Sequence, residues 1–182
     1  MDDLAWETID SRTSYTCEGF DVVTDDVRLP DGTETEFDYL REGASAVILP
    51  FTADGRVVVI EEWRQAVDRV NRGLPAGSLE AGESIETGAR RELAEETGYE
   101  ADDLVHLTSA EPANGFADSV FHYVLARDCE PTAERSLDYN ESIRVETTTF
   151  EDLVAAARAG DLLDGRSALG VLYYALFRKE ID

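Results

Sequence analysis

The sequence predicts a mixed α/β fold in which a central mixed sheet carries helices on both sides. Segments typical of strands and of helices interleave along the chain without the strict strand-helix-strand alternation that a fully parallel sheet requires. At 182 residues and 43% hydrophobic content, the chain is long enough for one well-buried core and a smaller appendage.

The N-terminal part of the chain predicts an appended β-hairpin. Residues 20–27 and 33–39 alternate in polarity around Leu29-Pro30-Asp31-Gly32, and Pro-Asp-Gly between two such runs favours a tight turn. The apolar face of this hairpin is thin, and an isolated hairpin is marginally stable in water. We therefore expect residues 1–41 to be an appendage that packs on the main domain, residues 42–182, or on a second subunit of a homodimer.

The strands of the predicted core come next. Residues 44–51 and 56–63 are apolar, β-branched runs joined by residues 52–55, which predicts a second hairpin. Residues 120–126 are apolar on both faces apart from His122, as expected of a central strand.

Three helices are predicted, over residues 84–97, 150–159 and 167–179. Gly98 and Gly160 stand where helix ends favour a left-handed residue.

The charge of the chain limits its partners. The formal net charge is −24, with fifteen arginines and one lysine, Lys179. Nucleic acid and anionic membranes are poor partners for such a surface, because phosphate would be repelled. The chain also has no run of about 18 apolar residues and no basic, apolar leader, so we expect a cytoplasmic protein. An acidic, lysine-poor surface resembles that of halophilic proteins, whose self-repulsion is screened by salt.

The helix predicted over residues 84–97 carries carboxylates in a pattern that indicates metal binding. Glu92, Glu95 and Glu96 share one face, next to the apolar stripe of the helix. Three converging carboxylates destabilise one another unless cations neutralise them, and Mg²⁺ prefers oxygen ligands. In so acidic a chain, glutamates alone also fit a solvated helix face. The glycine-bracketed loop from Gly77 to Gly82 supports the metal hypothesis, because it leads backbone groups to the helix N-terminus.

Residues 77–99 resemble the Nudix box. That motif is a glycine, five residues, a glutamate and seven residues, followed by Arg-Glu-aliphatic-x-Glu-Glu-x-Gly-aliphatic. Every position of fixed identity matches, and an aromatic residue takes the last aliphatic position. The matching residues are Gly77, Glu83, Arg91, Glu92, Leu93, Glu95, Glu96, Gly98 and Tyr99.

The resemblance implies an α/β/α sandwich that hydrolyses a nucleoside diphosphate linked to another group, with Mg²⁺, or alternatively Mn²⁺, as cofactor. The implied metal ligands are the carbonyl of Ala76 and the side chains of Glu92, Glu95 and Glu96. Glu83 would orient Arg91 by a salt bridge, which makes these two residues candidate catalytic residues. Glu95 is a third candidate, because it would share the metal cluster. A general base in this family often comes from a loop outside the box. Glu141, in a segment similar to the acidic loop of the ADP-ribose-cleaving branch, is the candidate, with Asp138 in reserve.

Resemblance to the ADP-ribose pyrophosphatase branch extends over most of the chain. In that branch the N-terminal strands commonly form a dimer whose subunits share the binding site. Arg64 would then contact the substrate phosphates, although a simple ion pair at the sheet edge is the alternative. Trp63 and Phe116 complete the candidate substrate-binding set. Pro112 follows the box at a shorter spacing than in that branch, which leaves another sugar specificity open.

The main hypothesis is hydrolysis of ADP-ribose to AMP and ribose 5-phosphate. Other nucleoside diphosphate sugars are the first alternative, and sanitation of oxidised nucleoside triphosphates is a second. A nucleotide-binding regulatory module and a structural subunit are the non-catalytic alternatives.

Overall fold

A computed structural model of the protein describes residues 4–181, with side chains as far as residue 177, and the chain divides into two compact units. Within the described range, the first unit contains residues 4–44 and 111–120, and the second contains residues 45–110 and 121–181. The segment 111–120 therefore belongs with the N-terminal strands despite its distance in sequence. The domain boundary expected after residue 41 stays a prediction.

The first unit is built on a three-stranded antiparallel sheet of β1 (Glu7–Thr16), β2 (Asp21–Arg28) and β3 (Glu34–Arg41). The hairpin predicted from the Pro-Asp-Gly turn is confirmed as β2 and β3. In its turn, the N–H of Gly32 donates to the carbonyl of Leu29 at 2.9 Å, and Gly32 has a φ of 86°. Only glycine adopts that left-handed conformation without strain.

Strand β1 has no counterpart in the sequence prediction. All ten of its residues are exposed, so it lacks the alternating apolar face by which strands are usually detected. Polar contacts join it to its neighbours instead. Arg12 forms ion pairs with Asp26 of β2 and Glu36 of β3, and the hydroxyls of Ser14 and Thr24 lie 2.7 Å apart.

Residues 111–120 are attached to the end of β3. The N–H of Leu40 donates to the carbonyl of Phe116 at 2.8 Å, and the N–H of Asp118 donates to the carbonyl of Leu40 at 3.0 Å. The Asp118 carboxylate in turn accepts the N–H groups of Glu42 and Gly43, at 2.8 and 3.3 Å. These bonds explain why Phe116 belongs to the first unit.

A seven-stranded mixed sheet forms the centre of the second unit. Its path is β10-β5-β4-β9-β8, with β6 paired to β5 and β7 paired to β4. The strands are β4 (Ala44–Thr52), β5 (Val57–Arg64), β6 (Arg69–Gly73), β7 (Ala76–Ser78), β8 (Asp103–Ala110), β9 (Val120–Cys129) and β10 (Ile143–Thr148). The predicted core hairpin is confirmed as β4 and β5, and the predicted central strand is β9, which has neighbours on both sides.

All three predicted helices are present: α1 (Ile85–Thr97), α2 (Phe150–Ala159) and α3 (Gly165–Ile181). Ser84 caps α1 by accepting the N–H of Thr87 at 3.1 Å, and Gly98 ends it at a φ of 76°. The third helix begins at Gly165, two residues before the predicted start. Across residues 4–181, no helix combines the length and apolarity that a membrane crossing requires.

The helices cover both faces of the central sheet. Alternate residues of β4 point to opposite faces, and each face has its own apolar cluster. One cluster contains Ala46, Ile48, Val124 and Ala126 of the sheet with Ala89 and Leu93 of α1. The other contains Val47, Leu49 and Leu125 of the sheet with Leu153 of α2 and Val171 of α3. The predicted α/β/α sandwich is thereby confirmed.

Candidate active site

The loop before α1 is tied to the last turn of the helix by a buried carboxylate. The backbone N–H of Ala76 donates to Oε2 of Glu96 at 3.0 Å, and both residues are buried. Strand β4 holds the same loop from the other side, since the N–H of Ile48 donates to the carbonyl of Pro75 at 2.9 Å. The loop therefore runs directly over the carboxylate of Glu96.

Gly77 allows a second glutamate of the helix to approach the backbone. A Cβ atom at this position would lie 2.1 Å from the carboxyl carbon of Glu92, far inside van der Waals contact. The glycine of the motif is thus required by space: any side chain here would displace the carboxylate of Glu92.

One guanidinium contacts three carboxylates of the motif. Arg91 binds Glu83 through two nitrogens, at 3.1 and 2.9 Å, and its third nitrogen lies 2.7 Å from Glu92 and 3.1 Å from Glu95. It also donates to the carbonyl of Ser78 at 2.9 Å. The salt bridge implied between Glu83 and Arg91 is present, and it fixes Arg91 in a bidentate geometry.

The pKa of Glu83 is shifted in the opposite direction from the pKa values of Glu92 and Glu96. The hydrogen bond from Arg91, helped by the backbone N–H of Glu80, holds the pKa of Glu83 below its ordinary value. Burial raises the pKa of Glu92, against the opposing effect of Arg91. Burial also raises the pKa of Glu96 to about 9, and the Ala76 N–H compensates only in part. The innermost carboxylate thus lacks a countercharge.

The segment after residue 133 brings Glu141 to this region. Arg135 donates to the carbonyl of Glu96 at 3.0 Å and to the carbonyl of Ile143 at 2.8 Å, and so links the end of α1 to the start of β10. Between these anchors, the Glu141 carboxylate accepts the N–H of Asp138 at 2.9 Å. The segment is therefore held against the carboxyl end of α1.

Glu141 is close enough to the buried glutamates to affect their ionisation. Its negative charge raises the pKa of Glu62, Glu92 and Glu96. The structure thus brings Glu141 close to Glu92 and Glu96 of the motif, which precede it by 49 and 45 residues in the sequence.

The donor set fits a hard divalent cation after some rearrangement. Its ligand atoms are all oxygen, and a buried carboxylate without a countercharge favours cation binding. Among the side chains described, those of residues 4–177, however, no three carboxylate, imidazole or thiol groups are already arranged to hold one ion. Arg91 engages Glu92 and Glu95, so a cation has to compete with its guanidinium for these two carboxylates.

The three candidate substrate-binding residues are not all in one unit. Trp63 and Arg64 end strand β5 of the second unit, whereas Phe116 lies in the first unit and is 59% exposed. The indole of Trp63 is 42% exposed, and its N–H donates to the side chain of Gln65 at 3.1 Å. The Arg64 guanidinium is paired with the carboxylate of Glu62.

Two residues of this region were missed at the sequence level. Arg135 gives no local signal, because its partners are carbonyl groups remote in sequence. Glu62 did give a signal: it is one of two adjacent acidic residues in the otherwise apolar run that begins at Val57, and it is 6% exposed. A charge at a buried strand position is seldom tolerated without a partner.

Comparison with known proteins agrees with this geometry. A model of the NUDIX domain matches residues 41–165, which include the loop, α1 and the Glu141 segment. The chain belongs to the Nudix hydrolase family. A solved structure of an ADP compounds hydrolase superimposes with a TM-score of 0.84 at 20% identity, covering 97% of this chain and 95% of the other. That likeness establishes the Nudix fold.

Two relatives match the chain over nearly its full length. The chain is 31% identical to an ADP-ribose pyrophosphatase of Bacillus subtilis, covering 97% of this chain and 96% of the relative. It is also 27% identical to a methanol dehydrogenase activator of Bacillus methanolicus, covering 93% and 92% of the two chains. Relatives of similar extent therefore carry different names.

Proposed function

We propose that this protein hydrolyses the pyrophosphate bond of ADP-ribose to AMP and ribose 5-phosphate, with Mg²⁺ as its cofactor. The observation that carries the proposal is the group of coupled carboxylates around α1, formed by Glu92, Glu96 and Glu141, over which the Ala76 loop passes. Such a group suits a reaction in which charge on phosphate must be neutralised. The choice of ADP-ribose is supported by the relative in Bacillus subtilis.

The cation would be held by the Ala76 carbonyl and by the carboxylates of Glu92, Glu95 and Glu96. A bound divalent cation supplies neutralisation of phosphate charge and lowers the pKa of a coordinated water. Arg91 and Glu83 would not bind the cation themselves but would orient the carboxylates that do. Because Arg91 is fixed by Glu83, it limits the positions that Glu92 and Glu95 can adopt.

In the proposed reaction, the oxygen of a water molecule forms a bond to one phosphorus, and the bridging P–O bond breaks. Glu141 accepts the proton of this water as general base. Its segment is anchored to α1 by Arg135, which supports this role because a base must be held within hydrogen-bonding distance of the proton it removes. Asp138 stays the reserve candidate.

Substrate recognition is assigned to three residues. Arg64 would bind a phosphate, for which its planar guanidinium is suited. Trp63 and Phe116 offer exposed aromatic surface on which a base can stack.

We also propose a homodimer formed through the first unit. Strand β1 is exposed along its whole length: Ile9 and Tyr15 on it are 47% and 59% exposed, and Trp6, just before it, is 50% exposed. Exposed apolar side chains in such number favour a protein partner, and a second copy is the commonest one. Sedimentation at several protein concentrations tests this, and a monomer throughout would contradict it. The cytoplasmic location and the halophilic character stay predictions of the sequence.

A second candidate substrate class is another nucleoside diphosphate sugar, favoured by the position of Pro112. The test is a panel assay in high salt with Mg²⁺. ADP-ribose, several nucleoside diphosphate sugars and nucleoside triphosphates are offered, and products are separated by chromatography. Fastest release of AMP from ADP-ribose supports the proposal, and faster cleavage of another sugar replaces the substrate. Binding without cleavage of any compound would leave a regulatory module as the function.

A further inference from the structure

Glu62 is a buried carboxylate of β5 that lies outside the Nudix box. Its side chain is 8% exposed, and one nitrogen of the Arg64 guanidinium lies 2.6 Å from its Oε2 atom. The same oxygen has no hydrogen-bond partner within the described residues. The contact is therefore an ion pair whose N–H is not aligned for a hydrogen bond, and the charge of Arg64 is what compensates this carboxylate.

The surroundings of Glu62 make Arg64 its main source of compensation. Burial raises the pKa of Glu62, and the charges of Glu141 and Asp164 raise it further. Arg64 and then Arg166 act in the opposite direction. Arg166 is itself paired with Asp164 at 3.1 Å, which leaves the guanidinium of Arg64 to oppose the charge of Glu62.

The two partners differ in rigidity. Strand β5 is paired on both sides at Glu62, with Ile143 of β10 and with Asn71 of β6. The backbone that carries the Glu62 carboxylate is therefore held in place. Arg64 is the last residue of the strand, and its side chain is 35% exposed. A long exposed side chain loses conformational entropy when it binds a ligand, unless it is held beforehand.

We propose that Glu62 is a positioning residue that holds the Arg64 guanidinium ready for a phosphate of the substrate. This inference rests on the proposed function, in which Arg64 binds phosphate. Glu62 binds one end of the guanidinium, and the exposed part of the side chain is left for the ligand. Arg64 also lies near the proposed general base. The N–H of Trp63 donates to the carbonyl of Ser142 at 3.3 Å, so the end of β5 lies next to Glu141.

The test is a double-mutant cycle on Glu62→Gln and Arg64→Ala, with two readouts. One is the kcat and KM for ADP-ribose, and the other is the calorimetric Kd for ADP-ribose in metal-free protein. Glu62→Gln is expected to raise KM and Kd about tenfold, as expected for the loss of one charge-assisted contact, and to leave kcat within about twofold of the wild-type value. In the Arg64→Ala background the same change is expected to have no further effect, because a positioning residue acts only through its partner.

Glu61→Gln is the matched control. Glu61 precedes Glu62 on the same strand and pairs with the exposed Arg144, so its replacement removes the same charge without touching Arg64. Should Glu62→Gln fold poorly, Glu62→Asp is the second variant; it keeps the charge, draws the carboxylate back from Arg64 and is expected to raise KM and Kd.

Two results would overturn the positioning role. One is a fall in kcat without change in KM or Kd. The other is an equal effect of Glu62→Gln with and without Arg64. Failure of the proposed function is distinguishable: a wild-type protein that binds ADP-ribose without cleaving it refutes catalysis, while the Kd cycle still decides the role of Glu62. A wild-type protein that neither binds nor cleaves refutes both.

Discussion

The backbone N–H of Ala76 donates a hydrogen bond of 3.0 Å to the side chain of Glu96. This bond joins the loop that precedes α1 to the last turn of the same helix. It is a single donor for a carboxylate that is 3% exposed. The bond therefore holds Glu96 in place without neutralising its charge.

The first prediction concerns the stability of metal-free protein. The folded pKa of Glu96 is about 9, above its ordinary 4.5, so the folded state retains a proton that the unfolded state releases. The stability contributed by this proton is complete below the unfolded pKa and is lost as pH rises towards 9. Thermal unfolding in chelator should therefore show a melting temperature that falls between pH 5 and 9, while Mg²⁺ should stabilise most at the alkaline end.

Glu96→Gln is the control for that pH dependence. Glutamine keeps the size and the acceptor oxygen of the side chain but does not titrate, so the fall in melting temperature should be reduced in this variant. An identical pH profile in wild type and variant would show that other groups cause the change.

A second prediction follows from the space at Gly77. In Gly77→Ala, the new methyl group would collide with the end of the flexible Glu92 side chain, which can rotate away. We expect nearly unchanged stability and a fall in kcat of at least about tenfold, as for a misplaced metal ligand. Gly165→Ala is the control, because a Cβ there meets nothing within 4 Å. Equal activity of the two variants would argue against Glu92 as a ligand.

The third prediction concerns the shape of the Arg91 side chain. Arg91→Lys keeps the charge but loses the fork that binds Glu83, Glu92 and Glu95 together. The melting temperature should fall, because a lysine ammonium cannot hold all three carboxylates in this geometry. Arg158→Lys, an exposed change in the last turn of α2, should leave the melting temperature unchanged. Wild-type behaviour of Arg91→Lys would mean that any positive charge suffices at this position.

The sequence predicted most of the fold because the core elements carry regular patterns. The β4–β5 hairpin and the apolar stripe of α1, which the structure shows to include the buried residues Ala89 and Leu93, were foreseen from apolar periodicity. Strand β1 was not foreseen, because an exposed strand held by ion pairs has no such period. The join of residues 111–120 to the end of β3 was also missed, since its backbone bonds are independent of side-chain type.

Within the candidate site, too, some contacts could be predicted from the sequence and others could not. The salt bridge of Arg91 with Glu83 could be inferred from a motif of fixed spacing. Its contacts with Glu92 and Glu95 could not, because they depend on how far the guanidinium extends along the helix. Nor could the pairing of Glu62 with Arg64, since side chains two residues apart on a strand meet only when one of them bends.

The fourth prediction tests the proposed general base. Glu141→Gln should lower kcat by about a hundredfold or more, the usual contribution of a positioned base, with little change in Mg²⁺ affinity. Glu134→Gln, an exposed change in the same segment, is the control and should retain activity. If Glu141→Gln keeps its rate, Asp138 becomes the residue to test.

The most direct test of the central claim compares wild type and Glu96→Gln with ADP-ribose in high salt, with Mg²⁺ and with chelator, by measuring AMP and ribose 5-phosphate. We predict equimolar release of both products by the wild type only when Mg²⁺ is present. The folded variant should release at least about a hundredfold less. Release at the wild-type rate by Glu96→Gln, or by the wild type in chelator, would contradict a metal-dependent hydrolase built on this glutamate.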